Sequence, residues 1–378
     1  MQIPVRLVVL LRPSVSPGIL LAVGFSTFVL SATPFLFDLL VDEYHIGLTA
    51  ASLIGVFQLG GFVLGSWWAG RWLLPRRRFF VVALAVAVAT NLASATLPAF
   101  AVLVALRFVS GLSLGLISWY AWVQVFGNDR GTGDIAVIGP VAGVVASPLI
   151  ALFAAGGGAA GVYALLGTLA IVPLVFNRGS GASERVPFRT ERSSPVPAAR
   201  IILAALGLFT LGGSAVFQYA VVVGSDRLDL GAGTVALVFS ANAIAAVPAA
   251  KWPWRRGLPG PWMAVTGLCA VVMPSSPSTA VFAGAITVWG FAFWMGLPGV
   301  FTVLAERSAN PADRAGDAQA VMAAGRVFGP FVGGLALDLA GPGTLGLVGG
   351  SMMMLAGAAV FVVRTIAAPR VVQGPGLA

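Results

Sequence analysis

The chain has 378 residues, of which 58% are hydrophobic and only 9% charged, with a mean hydropathy of +0.96. Ordinary soluble domains carry about 25% charged residues, so a water-soluble globular class is excluded. One cysteine, Cys269, and one histidine, His45, exclude a disulfide framework and leave no Cys/His cluster for a metal, while the net charge of +9 rests on 21 arginines and the single Lys251.

A bilayer core of about 30 Å needs roughly 17–25 apolar residues per helix. The opening MQIPVRLVVLLRPSVSPG lacks a small-residue cleavage site and reads as a retained tail. Beyond it, charges, Pro/Gly turns and apolar length predict spans at 18–40, 48–72, 79–98, 100–126, 134–155 and 159–177. A polar, Pro/Ser-rich, basic segment follows at 178–200, and six more spans are predicted at 201–224, 233–252, 261–275, 279–304, 316–339 and 343–364. The expected architecture is all-α and integral to the membrane: twelve helices in two pseudo-symmetric six-helix halves, 1–177 and 201–378, joined by the linker 178–200. Weak internal similarity supports the halves. DRGTGD (129–134) recurs as DRAGD (313–317), and IGPVAG (138–143) recurs as FGPFVGG (328–334).

Nineteen of the 22 basic residues fall in segments that this alternation places on one side; the other side has Arg227 with Asp42, Glu43, Asp226 and Asp229. The positive-inside rule then predicts both termini in the cytoplasm. The net charge is thus a membrane-side signal, and no nucleic-acid partner is expected. The arginine bias with abundant Ala, Gly and Val suggests a bacterial chain, hence a multi-pass protein of the cell inner membrane. Lys251 precedes Trp252, so no G-x-x-x-x-G-K-[ST] phosphate loop exists. No cofactor is expected, and any energy must come from an ion gradient, a solute gradient or a separate partner.

Two basic residues fall in no loop, Arg107 and Arg326. A guanidinium cannot neutralise itself, and intramembrane charges usually face a cavity or a partner. Arg107, Gly111, Gly115, Trp119 and Trp122 share one helix face. The glycines could form a packing seam with a snorkelling arginine, but the two indoles favour a cavity-facing Arg107. Arg326 should sit near the midplane, beside Gly329 and Pro330. Two readings stay open for it: a structural group on carbonyls freed by the proline, or a cation for an anionic substrate. Asp38, near the outer end of span 1, is a hydrated end residue or a proton-coupling carboxylate. Asp134 and Asp317 are expected to cap spans 5 and 11. Gln218 and Tyr219 in span 7 are the strongest polar binding candidates, and Trp289 belongs to an aromatic wall or to packing. His45 and Cys269 are solitary, so no enzymatic set converges and an enzyme is not expected.

These motifs resemble the major facilitator superfamily of transporters over essentially the whole chain. LRFVSGLSLG around Arg107 resembles its R-x-x-x-G-x-x-x-G signature. The Gly-Pro sites Gly139, Pro140 and Gly143, echoed by Gly329, Pro330 and Gly333, resemble the antiporter and exporter motif and imply gating hinges. GSWWAGRWLLPRRRFF (65–80), with Gly65, Arg71, Arg76 and Arg77, takes the place of the cytoplasmic loop motif G-x-x-x-D-R-x-G-R-R. Ala69 stands where the acidic residue is expected, and Pro34 where related efflux permeases carry an acid. The chain is similar to bacterial drug:proton antiporters and sugar efflux permeases. The resemblance implies alternating access, proton-coupled efflux of a small organic or amphiphilic compound, protons as possible partners, and function as a monomer in the lipid bilayer. Uptake or exchange of a small organic anion is the alternative that the two arginines favour; a membrane subunit of a larger complex is the non-transport alternative.

Overall fold

The structure is a computed structural model that describes residues 15–125, 129–177, 194–251, 258–308 and 311–365. Among these residues all regular structure is helical. The helices are α1 (Pro17–Tyr44), α2 (Leu48–Ala51), α3 (Leu53–Trp72), α4 (Arg77–Ala95), α5 (Phe100–Val125) and α6 (Asp129–Val175), then α7 (Pro197–Phe217), α8 (Ala220–Leu228), α9 (Ala232–Lys251), α10 (Pro259–Val272), α11 (Thr279–Glu306) and α12 (Pro311–Thr365). Nine helical stretches among the described residues are long and apolar enough to cross a membrane. This is a multi-pass, all-α membrane fold, in which each helix satisfies its own backbone groups within the hydrocarbon.

Proline sets several boundaries. Pro17, Pro197 and Pro259 open α1, α7 and α10 in the first turn, where a missing N–H costs nothing. The α1 helix ends at His45, whose left-handed backbone (φ 52°) returns its N–H to the Val41 carbonyl. The Ser278 hydroxyl accepts from the Val281 N–H and caps α11.

Two helices hold more chain than one crossing needs. The 47-residue α6 and the 55-residue α12 each contain a single non-helical residue, Gly158 (φ 56°, ψ −148°) and Gly341 (φ 77°, ψ −177°). Positive φ suits glycine, and each break falls in a glycine-rich run, GGG at 156–158 and GPG at 341–343. A straight helix from Ile138 to Val172 would be about 51 Å long, yet both residues line one cleft with Leu20 and Gly24. Each long helix therefore doubles back at its glycine into two arms. The expected boundaries of spans 5/6 and 11/12 lie at these breaks. The expected span 7, by contrast, is interrupted at Gln218–Tyr219, between α7 and α8.

The same pairings occur twice along the chain. The first arm of α6 lies on α1 and the first arm of α12 on α7, at Gly24–Ile138 and Gly329–Ser214. The second arms lie on α4 and α10, at Gly167–Leu92 and Gly267–Met354, and α5 on α3 matches α11 on α9. The capping expectation needs correction: α6 starts at Asp129, before Asp134, and Asp317 bonds Arg314 at 2.7 Å inside α12.

Candidate functional site: a central chamber with one arginine

Arg107 lies outside the chamber. Its side chain is 1% exposed, wedged between α5, α4 and the second arm of α6. One terminal nitrogen donates to Asn91 Oδ1 (3.0 Å); the other donates to the Thr90 carbonyl (3.1 Å) and Ser94 Oγ (2.6 Å). The guanidinium carbon lies 4.6 Å from the centre of the Tyr163 ring, a cation–π contact. Asn91 and Ser94 are themselves held by donating to the Ala87 and Thr90 carbonyls, so the acceptors are pre-set. The expected cavity-facing position is thus replaced by a neutral polar socket. The physical reason is that α4 supplies three acceptors at one level, which the sequence of α5 alone does not reveal.

The glycine face of α5 is a seam. A Cβ on Gly111 would come 2.0 Å from the Gln58 carbonyl oxygen, and one on Gly115 2.3 Å from that of Phe62. Only glycine lets α3 and α5 approach so closely. Gly65 belongs to the same seam, facing Leu112. Trp119 is half-buried, set edge-on to Tyr120 and near Gly70, away from the chamber; Trp122, 45% exposed, lines it.

The chamber has two connected lobes of about 340 and 670 Å³. Phe62, Phe217, Gln218, Asn242, Trp294 and Arg326 line both. Along α1 the lining runs from Val23 to Pro34, that is, toward the end where α1 starts. Among the described lining residues Arg326 is the one with a charge, and it is exposed to the chamber. It is fifteen residues from both Pro311 and Gly341, hence at the middle of its arm, about 22 Å from each end. Among the described residues no carboxylate pairs with it.

Part of the lining is aromatic. Phe209 stacks on Phe293 (5.8 Å, 19°), and Phe217 packs on Trp289 (5.4 Å) and Phe239 (5.1 Å). Thr210, Ser214 and Gln218 repeat every four residues and turn one face of α7 and its end into the chamber. Gln218 sits at the α7/α8 interruption, and its buried Oε1 meets no protein donor. Asn242 donates to the Ile286 carbonyl at 2.6 Å and so also ties α9 to α11. The sequence reading missed Phe209, Thr210, Ser214 and Phe217; the Thr210–Ser214–Gln218 repeat, which puts polar groups on one face of α7, was the signal that could have found them.

Tyr219, adjacent to Gln218, points elsewhere. It is fully buried, donates to the Pro330 carbonyl (2.7 Å), and lies 5.1 Å from the Phe37 ring. It belongs to the contacts that α1 makes with α7–α9, where Phe35 also meets Phe239 at 5.8 Å. Asp38 is half-buried there and accepts from Ser225 Oγ at 3.1 Å. Asp338 accepts from the Thr49 N–H (3.0 Å) and hydroxyl (2.5 Å). Gly139, Pro140 and Gly143 line the larger lobe, with Gly143 against Ala243; Gly329 and Gly333 press on α7, within 2.5 Å of Ser214 Cβ and 2.2 Å of the Ala215 carbonyl for an added Cβ. Both Pro140 and Pro330 sit inside continuous helix, since the breaks fall at Gly158 and Gly341.

In the loop region, the Arg77 Nε donates to Asn177 Oδ1 at 3.0 Å and ties the start of α4 to the end of α6. Arg76 precedes α4 and is exposed, Ala69 is fully buried, and the Arg71 side chain lies outside the described residues.

No curated protein matches the sequence. Solved structures do match. A bacterial homologue of the human lysosomal transporter Spinster, in an inward-facing and occupied conformation, aligns with a TM-score of 0.70 at 12% identity, covering 96% of this chain and 98% of that one. The nucleoside transporter NupG aligns at 0.68 and 13% identity (92% and 99% covered), and the human organic anion transporter MFSD10 at 0.65 and 14% (91% and 98% covered). At such identities the likeness speaks for the fold alone. A family model of the Major Facilitator Superfamily matches residues 19–334, and with that match over most of its length the chain belongs to this superfamily of transporters.

Proposed function

We propose that the protein is a secondary transporter that moves a small amphiphilic organic anion through the central chamber by alternating access. The observation that carries this reading is Arg326, exposed at mid-arm in a chamber whose described lining is otherwise neutral and, on one side, aromatic. A guanidinium matches carboxylate, sulfonate or phosphate oxygens, while the Phe209–Phe293 and Phe217–Trp289 wall would take an apolar body. Gln218, which lines both lobes, would hydrogen-bond the ligand by turning its amide toward it. The ligand leaves as it enters, with no catalytic residue or cofactor assigned.

The mechanical part of the proposal has twelve passes: the long apolar helices, both arms of α6 and α12, and the fourteen-residue α10. They form halves 1–177 and 201–378, connected through 178–200, most of which lies outside the described residues. The twice-used pairings support this division. With both termini cytoplasmic in an inner membrane, as the arginine asymmetry suggests, the form described here is open inward and closed at the Asp38–Ser225 and Asp338–Thr49 bonds. Rocking of the halves about the chamber would break these bonds and open the other end. Pro140 and Pro330, each lacking an N–H inside a helix, ease the bending, and a monomer suffices because one chain encloses the chamber.

The test is thermal stability of purified protein against one aromatic skeleton bearing a sulfonate, a neutral amide or a trimethylammonium group. Ligands that bind the folded form raise its melting temperature. The sulfonate should stabilise the wild type and lose its effect in Arg326→Gln. Equal stabilisation by the cation, unchanged in Arg326→Gln, would contradict the reading.

A second reading, proton-coupled efflux of a neutral amphiphile, is favoured by Asp38, a half-buried carboxylate bonded to Ser225 of α8. It requires that Asp38→Asn lose concentrative transport under a pH gradient while keeping substrate exchange. Undiminished concentration by that variant would leave Asp38 as a closed-end bond only.

A further inference from the structure

We infer that the transporter is an obligatory exchanger, in which Arg326 blocks the return of the empty carrier and a bound anion releases the block. This rests on the proposed anion reading of the chamber and adds the coupling rule.

The argument starts from where compensation for Arg326 could come from. The guanidinium keeps its charge at any biological pH. In the open form it is exposed to the chamber, so water can solvate it. Passage to the other open form must go through a state in which the chamber is closed at both ends and its water is reduced. A charge left there without a counter-ion is strongly disfavoured.

The described carboxylates near Arg326 in sequence or space are engaged elsewhere. Asp317 is nine residues earlier on α12, about 14 Å along the axis, and is bonded to Arg314 at 2.7 Å. Asp338 is twelve residues later, about 18 Å away, and holds Thr49. Asp38 holds Ser225 at the closed end. None of the three lines either lobe. What does line the chamber near Arg326 is neutral: Gln218, Asn242, Thr210 and Ser214, whose hydroxyl already donates to the Arg326 carbonyl at 3.3 Å.

The Arg107 socket shows what this fold supplies when an arginine stays enclosed: three hydrogen bonds to pre-set acceptors and an aromatic face. Arg326 has no such set among the described residues. With no counter-ion among the described residues, the compensating charge enters with the ligand. One monovalent anion makes the closed chamber neutral, so the loaded carrier reorients and the empty one stays behind. Transport is then one anion for one anion, with no net charge moved by the pair of half-cycles. Ligands shift a conformational equilibrium only through such differential interaction, here between closed and open forms.

The experiment uses purified full-length protein in liposomes, with naphthalene-1-sulfonate, naphthalene-1-carboxylate and naphthyl phosphate as probes. Entry of each labelled anion is measured into vesicles loaded with the same unlabelled anion, or with none. Loaded vesicles should take up at least one probe about ten-fold or more faster than unloaded ones, the ratio set by the penalty on the empty carrier. In parallel, spin labels at the two ends of the bundle report opening without any transport. Unliganded wild type should populate one form, sulfonate should bring in the second, and unliganded Arg326→Gln should already populate both. Equal uptake into loaded and unloaded vesicles would overturn the exchange rule while leaving the anion reading intact. Failure of all three anions to enter or to stabilise the protein would overturn the anion reading, and the exchange rule with it.

Discussion

The same side chain meets two opposite environments in this molecule. Arg107 is enclosed by Asn91, Thr90, Ser94 and the Tyr163 ring, and touches neither lobe of the chamber. Arg326, on a helix of similar apolarity, looks into the chamber with no described counter-ion. An arginine inside a membrane is therefore not one kind of signal. Where a neighbouring helix presents acceptors at the right level, the charge is absorbed into packing and clamps three helices. Where the neighbours present glycine, aromatic rings and a free amide oxygen, the charge is left for something that is not part of the protein.

The comparison breaks most visibly through function. Arg326→Gln should lower anion transport about 100-fold or more, the scale expected when a charge-assisted contact worth about 3 kcal/mol is removed. Its melting temperature should stay close to wild type, because no described protein group loses a side-chain partner. Transport close to wild type in this variant would remove the contrast.

Arg107→Met should behave in the reverse way. It strands Asn91 Oδ1 in a buried site, at a cost of about 1–3 kcal/mol before relief of the charge itself is counted, while the Ser94 hydroxyl keeps its bond to the Thr90 carbonyl. The melting temperature should fall by several degrees, while transport per folded molecule stays within about two-fold. Loss of transport without loss of stability would give Arg107 the role assigned here to Arg326. Within the socket, Asn91→Leu should destabilise by about 1–2 kcal/mol, as a hydrogen bond to a charged group is lost, and Asn91→Leu combined with Arg107→Met should cost less than the sum. A purely additive pair would mean that the two side chains do not share one site.

Smaller effects concern the mobility around the chamber. Pro140→Ala and Pro330→Ala each return a backbone donor to a continuous helix and should stiffen it. The expected outcome is a turnover a few-fold slower, with anion affinity nearly unchanged. Altered affinity at normal turnover would place the proline at the ligand itself.

Part of this was legible in the sequence. The all-helical membrane class and the glycine breaks at 158 and 341 follow from hydrophobic length and Gly/Pro punctuation, which act locally. The mid-arm position of Arg326 followed from counting residues along its helix. What could not be read was direction around a helix that is apolar on every side. Arg107, Gly111 and Gly115 share a face, and only the opposing chains decide what that face meets. The close approach of Gln58 to Gly111 makes it a seam, and the acceptors of α4 make Arg107 structural. Likewise Gln218 and Tyr219 are neighbours in sequence but diverge at the α7/α8 interruption, one to the chamber and one to Pro330.

The most direct measurement is which of the two arginine positions meets the water of the chamber. Arg107→Cys and Arg326→Cys are each introduced on a Cys269→Ala background, and the purified proteins are exposed to a cationic, membrane-impermeant methanethiosulfonate. The account predicts rapid modification at position 326, slowed when the chamber is opened less often or occupied, and none at position 107 while the protein stays folded. Modification at 107 as fast as at 326, in folded protein, would contradict it.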